Sequence, residues 1–351
     1  MVREGRLLSL ENPMAFCEDT PRSRGKNAER MEDQLADSPV RQSCRFRLVA
    51  VLVYGVSMVR NEADLIRLNV LYHLASGIDR MLVVDNGSTD GTDEILQQLS
   101  LQHAEVRWSR DDGPFLPSRV MTKLAREAFE EGADWVVPVD ADEFWHARGG
   151  DLRRVLENEE VGVLRAQAVN FIQRRSQRES SPDALIYMTR RTELPVGPPG
   201  HAQSLVESRK IAFVEKAYPQ KCICRPTAEV KIETGHHSIS GADGPRMLTE
   251  RIVCLHAPMR SRAALVERVT SASRAAAAGR NPNQGRNRRR LAALRDEKAI
   301  DEEWAANSYE DDFLDVYGDK HPVVFDPSLR DALTAASKEG LNLFASSQHF
   351  S

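Results

Sequence analysis

Between residues 48 and 139 the sequence alternates between short apolar runs and amphipathic stretches. The apolar runs predict strands at 48–59, 81–84, 106–108 and 135–139. The first strand is predicted to be buried on both faces, because Val and Leu follow one another there without alternation. The stretches between them carry apolar residues at helical spacing, which predicts helices over 61–76, from 89 or 90 to about 99, and over 118–131. Alternation of strand and helix favours a parallel sheet with helices on its faces. The expected fold class is α/β, with a Rossmann-like, mostly parallel central sheet.

Polar side chains follow three of these predicted strands directly. Arg60-Asn61-Glu62 follows the first, Asp85-Asn86-Gly87-Ser88 the second, and Asp140-Ala141-Asp142 the fourth. In open parallel sheets ligands bind at the carboxyl ends of the strands. The stretch DWVVPVDADEFW, residues 134–145, needs such a ligand most, because clustered carboxylates repel and are costly to bury without a positive partner.

Asp140 and Asp142 suit a divalent cation. Alternate side chains of an extended segment face the same way, so both carboxylates can reach one ion. Hard oxygen ligands select Mg²⁺ or Mn²⁺, and such an ion commonly bridges the phosphates of a nucleotide. The competing interpretation is an acid-rich turn or helix start. Asp85 similarly suits hydrogen bonds from a base or ribose, and its competing interpretation is an ordinary Asn-Gly turn before a capped helix.

Three segments in this order, VSMVRNEADLI, LVVDNGSTDGT and WVVPVDADEFW, resemble the nucleotide-binding half of family 2-type glycosyltransferases with the GT-A fold. The resemblance is strong over about residues 51–150. A weaker likeness to a bacterial subgroup continues through KCICRPTAEVKIETGHHS and VCLHAPMRSRAALVERV.

The resemblance implies roles for particular residues. It implies nucleotide-sugar contacts by Arg60, Asn61, Glu62, Asp85 and Asp140. It implies a cation, Mn²⁺ or Mg²⁺, held by Asp140, Asp142 and a late histidine. His256 is the first candidate for that histidine because it follows an apolar strand, and His236 and His237 are its rivals.

The sequence does not identify a single catalytic base. Inverting members need a carboxylate beyond the acid motif, often in a Glu-Asp pair, and none is clear between residues 165 and 245. The base candidates are Glu143 and Glu233, with Glu193 and Asp243 as further possibilities. Diphosphate-neutralising candidates are Arg119, Lys123, Arg260 and Arg262. The run Arg288-Arg289-Arg290 is interpreted as a solvated helix face rather than a surface for acidic lipid or nucleic acid.

The chain divides into four predicted parts. Residues 1–46 are expected to be a disordered tail, since charges and Ser, Pro and Gln dominate there. Residues 47–150 are expected to form the nucleotide-sugar-binding half, 151–275 the acceptor-binding half, and 276–351 a helical extension. Within the second half, strands are predicted at 161–171, 184–189, 210–213, 221–224, 230–233 and 251–256, and residues 193–204 are predicted to form a mobile flap.

Composition narrows the choice of partners and compartment. The net charge of −4 over 351 residues gives no reason to expect nucleic-acid binding. No apolar run approaches the ~20 residues that cross a bilayer, and acids interrupt the N-terminus where a signal peptide would be apolar. The expected location is the cytoplasm, with peripheral membrane association left open.

The predicted function is metal-dependent transfer of a sugar from a nucleotide-diphosphate sugar to the hydroxyl of a carbohydrate or glycolipid acceptor in cell-surface glycan synthesis. One alternative is a nucleotidyltransferase acting on sugar phosphates, which would normally carry a Gly-rich loop where this chain has VRNEADLI. The other alternative is a catalytically degenerate nucleotide-sugar-binding module. The intact pair of Asp140 and Asp142 argues against it.

Overall fold

The architecture is taken from a computed structural model, which describes residues 51–277, 286–310 and 323–338. The predicted tail at 1–46 lies outside these residues. The described strands are β1 Val53–Val59, β2 Arg80–Asp85, β3 Val106–Arg110, β4 Trp135–Pro138, β5 Glu143–Ala147, β6 Val163–Asn170, β7 Gln173–Arg174, β8 Arg190–Thr192, β9 Lys221–Cys224, β10 Lys231–Ile232, β11 Ile239–Ser240, β12 Arg246–His256, β13 Ser308–Tyr309 and β14 Val323–Phe325. The described helices are α1 Ile66–Ala75, α2 Thr92–Gln102, α3 Pro117–Glu130, α4 Leu152–Leu156, α5 Pro199–Glu207, α6 Arg262–Ala277, α7 Arg286–Leu291, α8 Glu297–Ala306 and α9 Ser328–Lys338.

Eight strands of the described residues form one sheet in the order β3-β2-β1-β4-β9-β6-β12-β5. The first four are parallel, β6 is parallel to β12, and β9 and β5 run against their neighbours. Val59, the last residue of β1, pairs with Asp85, the last residue of β2. The polar residues that follow β1, β2 and β4 therefore meet at one edge of the sheet, as the sequence predicts. The α/β fold class is confirmed.

Helices cover both faces of this sheet. One core cluster joins α1 and α2 to β1, β2 and β4, and a second joins α3 to the opposite face of β1 through Tyr54, Val56 and Met58. Gly55 in β1 fits this packing because a Cβ there would lie 2.2 Å from the Met81 sulfur. Burial on both faces explains why β1 reads as an unbroken apolar run.

Several predicted elements of the second half are wrong. Residues 184–189 were expected to form a strand, but Pro182–Tyr187 is a 3₁₀ turn and the strand comes later as β8. Residues 210–213 form no strand, and the chain turns in a 3₁₀ helix at Phe213–Glu215. The predicted flap at 193–204 contains the start of α5.

The C-terminal part adds the expected helices and also two short strands. β13 pairs with β7, and β14 pairs with β8. None of the described helices is both long and apolar enough to cross a membrane.

Candidate active site

The turn between β4 and β5 presents the acids. Asn69, buried on α1, donates hydrogen bonds from its Nδ2 to the carbonyl oxygens of Asp140, Ala141 and Glu143, at 3.3, 3.0 and 2.8 Å. Three carbonyls on one amide fix the backbone of the turn. The acid motif is therefore positioned by Asn69 of α1, which lies 71 positions before Asp140 in the sequence.

Asp142 lies among cationic and imidazole side chains. Its Oδ2 accepts a hydrogen bond from Arg268 and is 3.5 Å from His256 Nε2. His256 Nδ1 is 2.7 Å from Asn170 Oδ1, which orients the ring. Burial alone raises the pKa of Asp142, but Arg268 and His256 outweigh burial and hold that pKa well below its usual value. Asp142 is therefore an ionised carboxylate in the folded chain.

Asp140 points to a second histidine. Its Oδ1 is 3.7 Å from His236 Nε2, and its Oδ2 is 3.4 Å from Lys221 Nζ. Gly235 and His236 both have positive φ, 77° and 57°, and this bend turns His236 inward. His236 Nδ1 is buried without a hydrogen-bond partner among the described residues. His237 instead lies 3.1 Å from the Gln220 carbonyl oxygen.

Glu143 is the first residue of β5 and joins the two aspartate clusters. It is 1% exposed and contacts Lys221 Nζ, while its Oε2 has no partner among the described residues. Burial lowers the pKa of Lys221, but Glu143 and Asp140 outweigh burial and hold it well above the usual value. Lys221 is thus a fixed positive charge beneath the acids.

The cluster contains more acidic than basic side chains. Its five carboxyl groups, Glu62, Asp64, Asp140, Asp142 and Glu143, contact three cationic side chains, Lys221, Arg260 and Arg268. Burial raises the pKa of Glu62 to about 7 and that of Glu143 to about 8, with neighbouring carboxylates adding to the shift. Burial is the larger cause of both shifts, and the excess of two acidic over basic side chains adds to it.

These residues fit a divalent cation. Asp142, Glu143 and His256 offer ligand atoms that all lie within 4.8 Å of one another, and so do Asp140, Glu143 and His236. The predicted ligands Asp140, Asp142 and His256 therefore fall into two groups that share Glu143. Carboxylate and imidazole are donors that Mn²⁺ accepts, and a charge of +2 matches the excess.

The strand ends next to the acids hold the predicted nucleotide residues. Asn61, at φ 55°, donates from its backbone to Ser88 Oγ at 2.9 Å, and its Oδ1 accepts from the Thr89 N–H at 2.9 Å. Asp85 is fully buried, with Oδ2 accepting from the Ser88 N–H at 3.1 Å and Oδ1 without a partner among the described residues. Asn61 and Asp85 thus belong to one network.

A cavity of about 280 Å³ opens beside both aspartates. It is lined by residues of the β1 end, the acid turn, α6 and α7, among them Arg60, Glu62, Asp140, Asp142, Arg260, Arg268 and Arg288. Arg288 lies 4.8 Å over the Phe115 ring and donates to Ser271 Oγ at 3.1 Å. No carboxylate of the described residues lies within ion-pair distance of Arg60 or Arg288. The interpretation of 288–290 as a solvated face is wrong for Arg288, because tertiary packing turns it into the cavity, and for Arg290, because it is largely buried in an ion pair with Glu303.

The other predicted residues lie elsewhere. Arg119, Lys123 and Glu233 line a larger groove of about 1470 Å³ along α3, which does not include the aspartates. Arg262 pairs at the surface with Glu297 and with Asp301, the latter at 2.6 Å. Glu193 and Asp243 are exposed. Arg260, in contrast, lies in the cluster, 2.7 Å from both Asp64 and Glu62.

Sequence reasoning missed four residues that build the site: Asn69, Asn170, Lys221 and Arg268. Asn69 left a trace, as a polar residue inside the apolar run IRLNVLYHLA of α1. Lys221 also left one, since it opens the apolar strand KCIC. Asn170 and Arg268 gave no local signal because their partners are distant in the sequence.

Fold and site together define an α/β domain whose strand-end site combines buried carboxylates, imidazoles and arginines. The family model described as Glycosyl transferase family 2 matches residues 56–195 of the chain. A glycosyltransferase family 92 protein of Oryza sativa subsp. japonica is 29% identical over 158 residues, covering 43% of this chain and 26% of that protein. A family 92 protein of Arabidopsis thaliana is 33% identical over 92 residues, covering 26% of this chain and 16% of that protein. The chain thus matches about a quarter or less of the length of these plant relatives.

Solved structures show more distant similarity. A mannosyltransferase from Pyrobaculum calidifontis, in complex with GDP-Man and Mn²⁺, has a TM-score of 0.36 at 15% identity, covering 83% of this chain and 76% of that one. S. aureus TarS 1-349, in complex with UDP, has a TM-score of 0.33 at 10% identity, covering 69% and 70%. TM-scores this low transfer neither ligand nor reaction.

The family match and the family 92 relatives confirm the predicted enzyme class, a glycosyltransferase, for the matched residues. The predicted bacterial subgroup is not confirmed, since the curated relatives named above are plant proteins.

Proposed function

We propose that this chain moves a sugar from a nucleotide-diphosphate sugar to an acceptor hydroxyl, with a divalent cation at the strand-end site. One observation carries the proposal: Asp140 and Asp142, each beside a histidine, share buried Glu143 next to an arginine-lined cavity. The family 2 match over residues 56–195 supports the same reaction.

In the proposed arrangement the nucleoside lies near Asn61, Glu62 and Asp85, and the diphosphate lies in the cavity. Asp142, His256 and Glu143 are the proposed cation ligands, with Asp140 and His236 beside them. When bound, Mn²⁺ or Mg²⁺ supplies Lewis-acid stabilisation of the leaving nucleoside diphosphate. Arg60 and Arg288 face the cavity without carboxylate partners, so their charges are free to bind the phosphate oxygens.

Of the two base candidates, Glu143 lies in the acid cluster and Glu233 does not. The buried contact between Glu143 and Lys221 favours a role in binding the cation and holding the cluster together over the role of a base. A carbohydrate or glycolipid acceptor, a role in cell-surface glycan synthesis and peripheral membrane association are part of the proposal, on the family resemblance.

The test is a screen of UDP- and GDP-sugars for metal-dependent release of the nucleoside diphosphate, with Mn²⁺ or with EDTA. We expect release that needs the cation and that falls about 100-fold or more in Asp142→Asn, because the variant loses a charged ligand. Asp183→Asn, an exposed acid at the start of the 182–187 turn, is the matched control and keeps full activity.

Other outcomes decide between the classes of protein. Equal turnover in Asp142→Asn and the unaltered chain contradicts the metal assignment. Pyrophosphate formed from a nucleoside triphosphate and a sugar phosphate identifies a nucleotidyltransferase instead. Binding of nucleotide-sugars with no turnover identifies a degenerate module.

A further inference from the structure

A second cavity, of about 670 Å³, lies over the sheet face at β5, β6 and β12. His146, Gln167 and Val253 occupy adjoining register positions there, and Val169 and Leu255 continue the same face toward the strand ends. Arg191 and Thr192 of β8, Asp326 and the segment 214–218 also line the cavity. None of these residues was among the predicted site residues.

This cavity reaches the candidate active site at the strand-end edge. Asn170 and Tyr218 line it, and both contact His256. Asn170 Oδ1 is 2.7 Å from His256 Nδ1, and the Tyr218 and His256 ring centroids are 4.9 Å apart. A molecule in the cavity therefore lies one side chain away from the proposed cation ligand His256.

The cavity has positive charge without matching negative charge. Lys216 is 7% exposed, and its Nζ donates to Gln203 Oε1 at 2.8 Å and lies 4.4 and 4.7 Å from the Phe213 and Tyr218 ring centroids. Arg148 lines the same cavity from the end of β5. Among the described residues no carboxylate lies within ion-pair distance of Lys216 or Arg148. The one acid of the described chain that lines the cavity, Asp326, pairs with Arg191 at 2.6 Å.

A buried ammonium group without a counter-ion is costly, and a cavity beside it gives an anion access to that charge. Burial also lowers the pKa of Lys216 to about 8, because removing the ammonium group from water disfavours its charged form. Arg148 stays open to solvent at the mouth of the cavity, where it can meet a charged ligand. The apolar floor of Val169, Val253 and Leu255 suits the flat face of a sugar ring.

We propose that this cavity binds the acceptor sugar through an acidic group, a carboxylate, sulfate or phosphate, held by Lys216 and Arg148. The acceptor role depends on the proposed glycosyl transfer, whereas the binding of an acidic sugar does not. The reacting hydroxyl of the acceptor faces the wall made by Asn170 and Tyr218.

The experiment measures binding of glucuronate, glucose 6-sulfate, glucose 6-phosphate and neutral glucose to the full chain by titration calorimetry or ligand-observed NMR. We expect at least one acidic sugar to bind about tenfold more tightly than glucose, as one charge-assisted hydrogen bond provides. The sugar that binds most tightly identifies the acidic group. Arg148→Gln, at an exposed position that tolerates substitution, removes about tenfold of that affinity, and Lys216→Met acts in the same direction.

Arg154→Gln is the matched control, because Arg154 is an exposed arginine on α4 outside the cavity. It keeps the preference for acidic sugars. Equal binding of all four sugars, or an Arg148→Gln variant that binds like the unaltered chain, overturns the proposal even where donor turnover is normal. Preference for acidic sugars that depends on Arg148 supports the site even in a chain that turns over no donor.

Discussion

At Asp142 the positive charge of Arg268 lies where the proposed divalent cation would bind. Arg268 donates to Asp142 Oδ2 and also to the Pro258 carbonyl oxygen, so it ties α6 to the acid turn. A guanidinium and a divalent cation compete for the same carboxylate oxygen. In the proposed site, a cation bound to Asp142 Oδ2 would displace Arg268, whose charge would then lie beside the cavity proposed for the diphosphate.

This competition predicts the effect of Arg268→Gln. We expect the variant to bind Mn²⁺ about fivefold more tightly without nucleotide, because about 1 kcal/mol of competing ion-pair energy is removed. Calorimetric titration with Mn²⁺ measures the effect. Arg274→Gln on the same helix is the control, since Arg274 is exposed. Weaker Mn²⁺ binding in Arg268→Gln would contradict the competition.

Residues of the site differ in how far sequence could predict them. Asp85, Asp140 and Asp142 could be placed because each follows an apolar strand, and the ends of parallel strands meet at one edge. Arg268 could not be placed, since its contact with Asp142 spans 126 positions and depends on how α6 packs. The hydrogen bond from Asn61 to Glu267 of α6, 2.6 Å long, spans 206 positions and could not be predicted for the same reason.

At the scale of elements, α1 holds β5 in register through a buried histidine. His73 Nδ1 donates to the Asn69 carbonyl oxygen at 2.8 Å, and its Nε2 accepts from the Trp145 N–H at 3.2 Å. A proton on Nε2 would face that N–H and remove the hydrogen bond. Burial lowers the pKa of His73 to about 4 from 6.5.

The sign of the resulting pH dependence follows from linkage. Between pH 6.5 and 4 the unfolded chain binds a proton at His73 that the folded chain does not, so stability falls as the pH falls through this window. The contribution of His73 is complete above the unfolded pKa, and about 3 kcal/mol is lost at the lower end. We expect His73→Gln to lose correspondingly less stability between pH 7 and 4, measured by urea unfolding.

Other buried histidines titrate in both proteins, so the difference between the two pH profiles isolates His73. His201→Gln is the control because His201 is exposed, and its profile should follow that of the unaltered chain. Parallel profiles for His73→Gln and the unaltered chain would refute the assignment of the neutral, hydrogen-bonded ring.

The predictability of elements changes along the chain. Up to residue 139 each strand shows an apolar run and each helix is long enough to show its period, and every predicted element there is present. β5 was missed because Glu143 and His146 interrupt its apolar pattern, although both are explained by the site and the second cavity. Strands of two or three residues, such as β13 and β14, show no period and form only by pairing with strands distant in the sequence.

For the whole molecule, the C-terminal part belongs to the main core rather than lying outside it. α9 packs against α1 and against the 3₁₀ turn at 182–187, and Leu329 and Leu333 are fully buried in the cluster that includes the sheet. β14 pairs with β8, whose Arg191 and Thr192 line the second cavity. The folding of residues 323–338 therefore affects the shape of the second cavity.

The burial of α9 gives a stability prediction for the chain as a whole. We expect Leu333→Ala to lower the free energy of unfolding by about 3 kcal/mol, because it removes buried apolar contacts and leaves a void in the main cluster. Thr334→Ala, the exposed neighbour on the same helix, should change stability by about 0.5 kcal/mol or less. Urea unfolding of both variants followed by circular dichroism measures the difference. If residues 323–338 formed a separate appendage, Leu333→Ala would leave the main unfolding transition unchanged, and the link between α9 and the sheet would be refuted.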